Sequence, residues 1–139
     1  GDAKELFTVV KAINEFADKT NRAPKWDKNR EEAIDMAKNE TKPLVVYFTD
    51  EKEKSIAVEK VFGDKAVADY LESCRWVKIK LDLKSDEAKK LAIAKLPELW
   101  IVDPRKDDPF AAALKKVPMP TKSAAALKAE FEPVLKDWK

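Results

Sequence analysis

Few side chains of this sequence are available for covalent or metal chemistry. The chain has one cysteine, Cys74, and no histidine. One thiol cannot close a disulfide within the chain, and the absence of histidine removes the commonest general base and the commonest zinc ligand. A metal site built from Asp50, Glu51 and Glu53 would lack the ordered oxygen ligands of a calcium loop. The residue types therefore predict no catalytic group, no metal and no cofactor.

Two interpretations of the single thiol remain open from the sequence. Cys74 is either an inert, half-buried side chain or a nucleophile whose pKa is lowered by Arg75. The absence of histidine argues against the nucleophile, because the usual activating base is missing. The sequence favours the inert cysteine, and an enzyme that uses Cys74 or carboxylates stays as the alternative.

The composition is typical of one globular domain with a charged exterior. Of the 139 residues, 45% are apolar and 39% are charged, and 28 basic against 26 acidic residues leave a net charge of +2. The two signs alternate, as in residues 51–54, whereas a nucleic-acid-binding protein usually carries a stripe of one sign. No apolar run approaches the roughly 20 residues that cross a bilayer. We expect neither a nucleic-acid partner nor a membrane span.

The elements that must position these side chains alternate between helix and strand. Apolar residues at helical spacing predict a first helix over residues 4–19, and short apolar or alternating runs predict strands. An order in which helices and strands alternate favours an α/β sandwich with a parallel pair at its centre. Strands are predicted at residues 44–48, 76–82, 99–102 and 115–117, the last at a sheet edge.

Polar residues that cap helices mark where the later helices begin. Asn29 with Glu32 forms a capping-box pattern, and Ser85 and Ser123 precede two further helical segments. Asp50 with Glu53 repeats the pattern. It predicts a helix that begins near residue 51 and runs to residue 62.

Three segments of this sequence resemble the thioredoxin-like superfamily. They are an entry helix with a Lys-Pro turn and central strand (29–48), a second helix and strand (61–71 and 77–82), and a Leu-Pro turn with its strand (96–104). The resemblance implies a thioredoxin-like three-layer α/β sandwich with a central mixed sheet. Residues 1–22 would add an N-terminal helix packed on the domain formed by residues 23–139.

The chain departs from this family where the central strand meets its helix. The family carries a Cys-x-x-Cys motif there, and in this sequence the position falls on Glu51, Lys52, Glu53 and Lys54. A helix N-terminus lowers the pKa of a thiol, but carboxylates at that place cannot perform thiol exchange. These four residues form either a charged recognition edge or an ordinary solvated helical turn.

The Leu96-Pro97 turn is the part of the family site that this sequence retains. In the family the proline is cis and the preceding residue pairs its backbone with an extended substrate peptide. The resemblance thus implies a peptide-docking edge at Leu96 and Pro97, with a purely structural turn as the alternative. The four tryptophans either mark a binding face or pack in the core and at its rim. They are Trp26, Trp76, Trp100 and Trp138.

These observations predict a redox-inactive module that binds a protein or a peptide, without dithiol chemistry. The alternatives are the enzyme described above and a purely structural envelope domain. We expect a monomer or a weak dimer. Resemblance to exported members of the family implies a periplasmic or extracellular location, although the chain begins at Gly1 and includes no leader.

Overall fold

A five-stranded mixed sheet organises the chain in the computed structural model, which describes residues 23–138. The spatial order of the strands is β1-β3-β2-β4-β5. β3 is parallel to β1 and β2, whereas β4 is antiparallel to β2 and β5. The predicted parallel central pair is therefore present within a mixed sheet. The strands are β1 (Trp26–Asp27), β2 (Leu44–Thr49), β3 (Arg75–Lys80), β4 (Glu98–Val102) and β5 (Lys115–Pro118).

The burial of the central strands follows from their sequence patterns. All six residues of β2 are buried, which explains its continuous apolar run, because helices or loops cover both faces of the sheet there. In β3 the side chains alternate as predicted, with Val77 and Ile79 in one apolar cluster and Trp76 in the other. The predicted edge strand is β5, at the end of the sheet.

The helices surround the sheet and begin mostly at the predicted residues. They are α1 (Arg30–Glu40), α2 (Glu53–Val58), a 3₁₀ helix (Glu59–Gly63), α3 (Tyr70–Ser73), α4 (Asp86–Lys90) and α5 (Ala124–Lys136). The side chains of Asn29, Ser85 and Ser123 each accept a hydrogen bond from the backbone N–H three residues later. The three predicted caps are thereby confirmed, and local sequence specifies where α1, α4 and α5 begin.

The helix after β2 differs from its prediction at both ends. It was expected from about Glu51 to Phe62, but α2 begins at Glu53 and gives way to the 3₁₀ helix after Val58. Glu51 has a φ of 59°, in the left-handed region, so the chain is still turning there. Asp50 is also not the N-cap: Lys52 holds that position and makes no side-chain capping bond.

Two apolar clusters, one on each face of the sheet, form the core. α1, α4 and the segment between β4 and β5 cover one face, while α2, the 3₁₀ helix and α5 cover the other. The segment between β4 and β5, which is irregular as expected, is anchored by Phe110. Its ring packs edge-on against Phe48 and Trp100, with centroids 5.9 and 6.5 Å away. This arrangement gives the three layers of the predicted sandwich.

The predicted N-terminal helix, over residues 4–19, lies outside the described residues. The described part of the chain begins beside β1, where Arg75 holds Asp27 in an ion pair and also contacts Glu40, with N and O 3.1 Å apart. None of the helices in residues 23–138 combines the length and the apolar character that crossing a bilayer requires.

Candidate functional site

The junction between β2 and α2 carries the charged residues that the sequence analysis selected. Glu51, Lys52, Glu53 and Lys54 are all exposed. Because α2 begins at Glu53 with Lys52 as its N-cap, the first turn of the helix is two residues later than predicted. It includes Ser55, which is buried although its three predecessors are exposed.

A short chain of hydrogen bonds ties this junction to the core. Asp50 Oδ1 accepts from the Ser55 hydroxyl at 2.6 Å and from the Lys52 backbone N–H at 2.9 Å. The Ser55 hydrogen bond is the main reason why the pKa of Asp50 lies below its ordinary value. The Tyr47 hydroxyl donates to the Ser55 carbonyl at 2.7 Å, and burial raises the pKa of that phenol. The turn is thereby hydrogen-bonded to the buried residues Ser55 and Tyr47.

The turn before β4 places a second backbone segment beside the junction. The Leu96–Pro97 peptide bond is cis, and the Pro97 carbonyl accepts a hydrogen bond from the Met119 N–H at 3.2 Å. Leu96 is half-buried, and within residues 23–138 its own N–H and C=O make no hydrogen bond. A free N–H and C=O beside a fixed turn can accept an added extended strand.

One groove joins these two regions. It has a volume of about 580 Å³, and both Lys52 and Leu96 line it. Lys54 instead lines a separate, mainly apolar groove of about 350 Å³ beside Met119 and Pro120. The structure thus brings Lys52 to the cis-proline turn, whereas Glu51, Glu53 and Pro97 do not line the same groove. We call the first the lysine groove; its lining residues are Asp50, Lys52, Lys80, Leu81, Asp82, Leu83, Lys84 and Leu96.

Sequence reasoning missed the loop after β3, which supplies residues 80–84 of the lysine groove. The signal was present, because β2 and β3 were both predicted as strands of a parallel pair. Their register places Thr49 beside Lys80, so the loops that follow the two strands meet at one edge of the sheet. Ser55 was also missed, because its burial depends on Tyr47 and Asp50 rather than on a local pattern.

The single cysteine lies away from this site. Cys74 precedes β3 at the opposite end of the sheet and is only 2% exposed. Burial raises the pKa of its thiol to about 12, against a smaller opposing effect of Lys42. The thiol is thus more deeply buried than predicted and mostly protonated at neutral pH, which supports the inert interpretation. Nowhere in residues 23–138 do three histidine, cysteine or carboxylate side chains group so as to hold a metal ion.

The tryptophans lie in the core and at its rim rather than on one face. Trp76 and Trp100 are buried, on opposite faces of the sheet. The half-buried Trp138 donates from its indole N–H to the Thr41 carbonyl at 2.9 Å, and Arg105 lies over its ring, 4.4 Å from the centroid. This placement favours the packing alternative over a common binding face.

Solved structures of low sequence identity share this architecture. The structure called DsbH Oxidoreductase aligns with a TM-score of 0.61 and 16% identity over 84% of this chain and 87% of that one. A thioredoxin from Thermus thermophilus gives a TM-score of 0.61 and 18% identity, over 83% and 90% of the two chains. The chain has a thioredoxin-like fold. A thioredoxin from Trypanosoma brucei brucei agrees, with a TM-score of 0.52 and 17% identity over 84% and 96%.

At these sequence identities the structural similarity establishes the fold of this chain. Its activity has to be inferred from the residues of the candidate site. No protein-family model matches the sequence, and no curated protein matches it significantly. The thioredoxin-like domain has one cysteine, so it cannot cycle between a dithiol and an internal disulfide. What remains at the junction is a charged turn, a groove and an open backbone segment.

Proposed function

We propose that this thioredoxin-like domain is a redox-inactive binding module for a protein or an extended peptide. The observation that carries the proposal is the hydrogen-bonding state of Leu96, whose N–H and C=O have no partner within residues 23–138 while its side chain lines the lysine groove. A bound strand would satisfy both backbone groups and place alternate side chains into the groove.

The scaffold supports this function because both sides of the groove are fixed before a ligand arrives. The Asp50–Ser55 hydrogen bond holds one side, and the bond from Met119 to the Pro97 carbonyl holds the other. A preformed groove avoids part of the entropy that a flexible loop loses on binding. Binding therefore requires little rearrangement of the domain.

Peptide retention by the purified protein tests this proposal. Immobilised pools of degenerate nonapeptides are incubated with the wild type, with Leu96→Asp and with Leu114→Asp, an exposed leucine on another surface. We expect the Leu96 variant to lose at least tenfold in retention and the Leu114 variant to match the wild type. Equal retention by all three proteins contradicts docking at Leu96. Thermal unfolding of each variant checks that the fold is intact.

The redox-inactive part of the proposal has its own assay. With dithiothreitol as reductant, the domain should not accelerate insulin reduction above the background rate, because one buried thiol cannot form the internal disulfide of a turnover cycle. Acceleration that Cys74→Ala abolishes would contradict this part and favour the thiol enzyme. If no peptide pool binds and no reduction occurs, the structural-domain alternative replaces the binding module.

We also propose that the protein works outside the cytoplasm, in the periplasm or beyond the cell. This proposal is supported by the resemblance of the sequence to exported thioredoxin-like domains. Fractionation of the native cells, followed by antibody detection of the protein, should find it in the extracytoplasmic fraction. Detection only in the cytosolic fraction contradicts this location.

A further inference from the structure

The charges that line the lysine groove are not equally available to a ligand. The two carboxylates already accept backbone hydrogen bonds: Asp50 from the Lys52 N–H and Asp82 from the Lys84 N–H, both at 2.9 Å. Lys52 and Lys84 make no salt bridge within residues 23–138, and Lys52 acts on Asp50 only at longer range, where it helps to lower the pKa of that carboxyl. Lys80 makes only a long contact of 3.8 Å with Glu51, and its side chain is 70% exposed. The lysine ammonium groups are therefore more available to a ligand than the two aspartate carboxylates.

Apolar side chains accompany these lysines. Leu81 is buried beneath the groove, Leu96 is half-buried at its edge, and Leu83 is exposed. Leu83 is one of four large apolar side chains with such exposure in residues 23–138. An exposed leucine between Lys80 and Lys84 gives the groove an apolar contact surface beside its positive charge. The groove therefore offers both positive charge and apolar surface. A ligand with an acidic side chain next to an apolar one would match both.

We propose that the lysine groove selects extended peptide segments that carry a carboxylate side chain next to an apolar one. This inference rests on the proposed binding function and adds the class of ligand. The segment pairs its backbone with Leu96, its apolar side chain contacts Leu83, and its carboxylate meets the Lys80 and Lys84 ammonium groups. Charge complementarity of this kind contributes more to the choice of partner than to total affinity.

A carboxylate fits this groove better than a polyanion does. Glu51, which lies 3.8 Å from Lys80, is exposed at the edge of the groove, and Asp50 and Asp82 lie in the lining itself. A nucleic acid would bring a row of phosphates past these carboxylates, and the net charge of the whole chain is only +2. A single carboxylate can approach Lys84, which makes no salt bridge within residues 23–138, and at Lys80 it competes only with the long contact to Glu51.

Three peptide pools test the inference. Each contains nonapeptides with degenerate flanks, and the central residue is Asp in one pool, Asn in the second and Lys in the third. We expect the Asp pool to be retained about twofold to fivefold more than the Asn pool, because exposed ion pairs contribute modestly, and the Lys pool to be retained least. Equal retention of the three pools overturns the selectivity and leaves peptide binding in place. No retention of any pool is the failure of the proposed function itself.

Charge variants locate the effect. The double variant Lys80→Gln/Lys84→Gln should lose the preference for the Asp pool and keep its retention of the Asn pool. The matched control is Lys106→Gln/Lys122→Gln, which removes the same charge from exposed positions outside the groove and should keep the preference. The wild-type preference should also shrink between 0.05 and roughly 1 M salt, as the screening length falls to about 3 Å. A preference that survives in the groove variant overturns the assignment to these lysines.

Discussion

The two places where this chain could do chemistry lie at opposite ends of the same sheet. Cys74 comes directly before β3, whereas the charged junction follows β2, which runs parallel to β3 over six residue pairs. At about 3.3 Å per residue, the strands separate the two places by roughly 20 Å. The thiol is buried among apolar side chains, and the junction is exposed and charged.

This contrast separates reactivity from accessibility. The end of the sheet with a nucleophilic atom offers no exposed thiolate, and the accessible end has lysines, carboxylates and an open backbone segment but no nucleophilic sulfur. Exchange chemistry needs both properties at one place, since the thiolate must reach another sulfur. Binding needs only the accessible end, which is why the comparison favours a binding module.

The largest effect is expected for thiol labelling of Cys74. A pKa raised to about 12 lowers the thiolate fraction at neutral pH, and burial blocks the reagent, so labelling should be at least about 10³-fold slower than in the denatured chain. The measurement is the rate of modification by a maleimide at pH 7 with and without denaturant. Equal rates would show that the thiol is accessible and would remove the contrast between the two ends.

The same thiol should weaken the fold at alkaline pH. Its pKa is higher in the folded state than in the unfolded chain, so folding favours the protonated form. The stabilisation is full below the unfolded pKa of about 9 and declines as the pH rises toward 12. Urea denaturation from pH 7 to 11 should therefore show a steeper loss in the wild type than in Cys74→Ala. Parallel curves would contradict this assignment.

A cysteine graft tests whether the accessible end can still hold a dithiol. In a Cys74→Ala background, Lys52→Cys/Ser55→Cys places two thiols at i and i+3 across the start of α2, and we expect them to close a disulfide. Insulin reduction should then exceed background by at least about tenfold. The control pair Glu51→Cys/Lys54→Cys has its first residue one position before the N-cap, at a left-handed φ of 59°, and should form less disulfide. If the Glu51/Lys54 pair formed more disulfide than the Lys52/Ser55 pair, the Cys-x-x-Cys position would be residues 51–54, as the sequence predicted.

A smaller effect is expected for Ser55→Ala. The variant removes the hydrogen bond that the buried Ser55 hydroxyl donates to Asp50. It should therefore lower the free energy of unfolding by about 1–2 kcal/mol. This hydrogen bond lowers the pKa of Asp50 in the folded protein. It therefore stabilises the fold at pH values above the pKa of Asp50 in the unfolded chain, and this stabilisation is lost as the pH falls through the pKa of Asp50 in the folded protein. The difference in unfolding free energy between the wild type and Ser55→Ala should therefore be smaller below about pH 4 than at neutral pH. Ser73→Ala, whose serine is exposed, serves as the control, with an expected change below about 0.5 kcal/mol.

The smallest effect is expected for Glu51→Gly. The left-handed φ of 59° is unfavourable for a residue with a Cβ, so glycine should raise the free energy of unfolding by about 0.5–1 kcal/mol. Glu51→Ala keeps the Cβ and should give no such gain. Chemical denaturation of the two variants measures the difference, and an equal response would mean that the turn at the accessible end stores no backbone strain.

Much of the fold was predictable because its signals are local. Asn29, Ser85 and Ser123 cap their helices through hydrogen bonds to residues three positions away, a distance that sequence spacing specifies. The apolar run of β2 likewise indicated a strand buried on both faces. Asp50 shows the limit of such signals: it has the capping pattern, but Ser55 supplies a better partner in the folded turn.

The sequence by itself determined the apolar pattern of a mixed α/β sandwich, the positions of three helix caps and the lack of a cysteine pair. Only the tertiary structure decided that Lys52, Lys80, Lys84 and Leu96 share one groove, because the pairing of β2 with β3 brings distant loops to one edge. It also decided that Cys74 is buried at the other end of the sheet. Local patterns depend on neighbours within a few residues, whereas a site depends on strand register and packing between residues far apart in the chain.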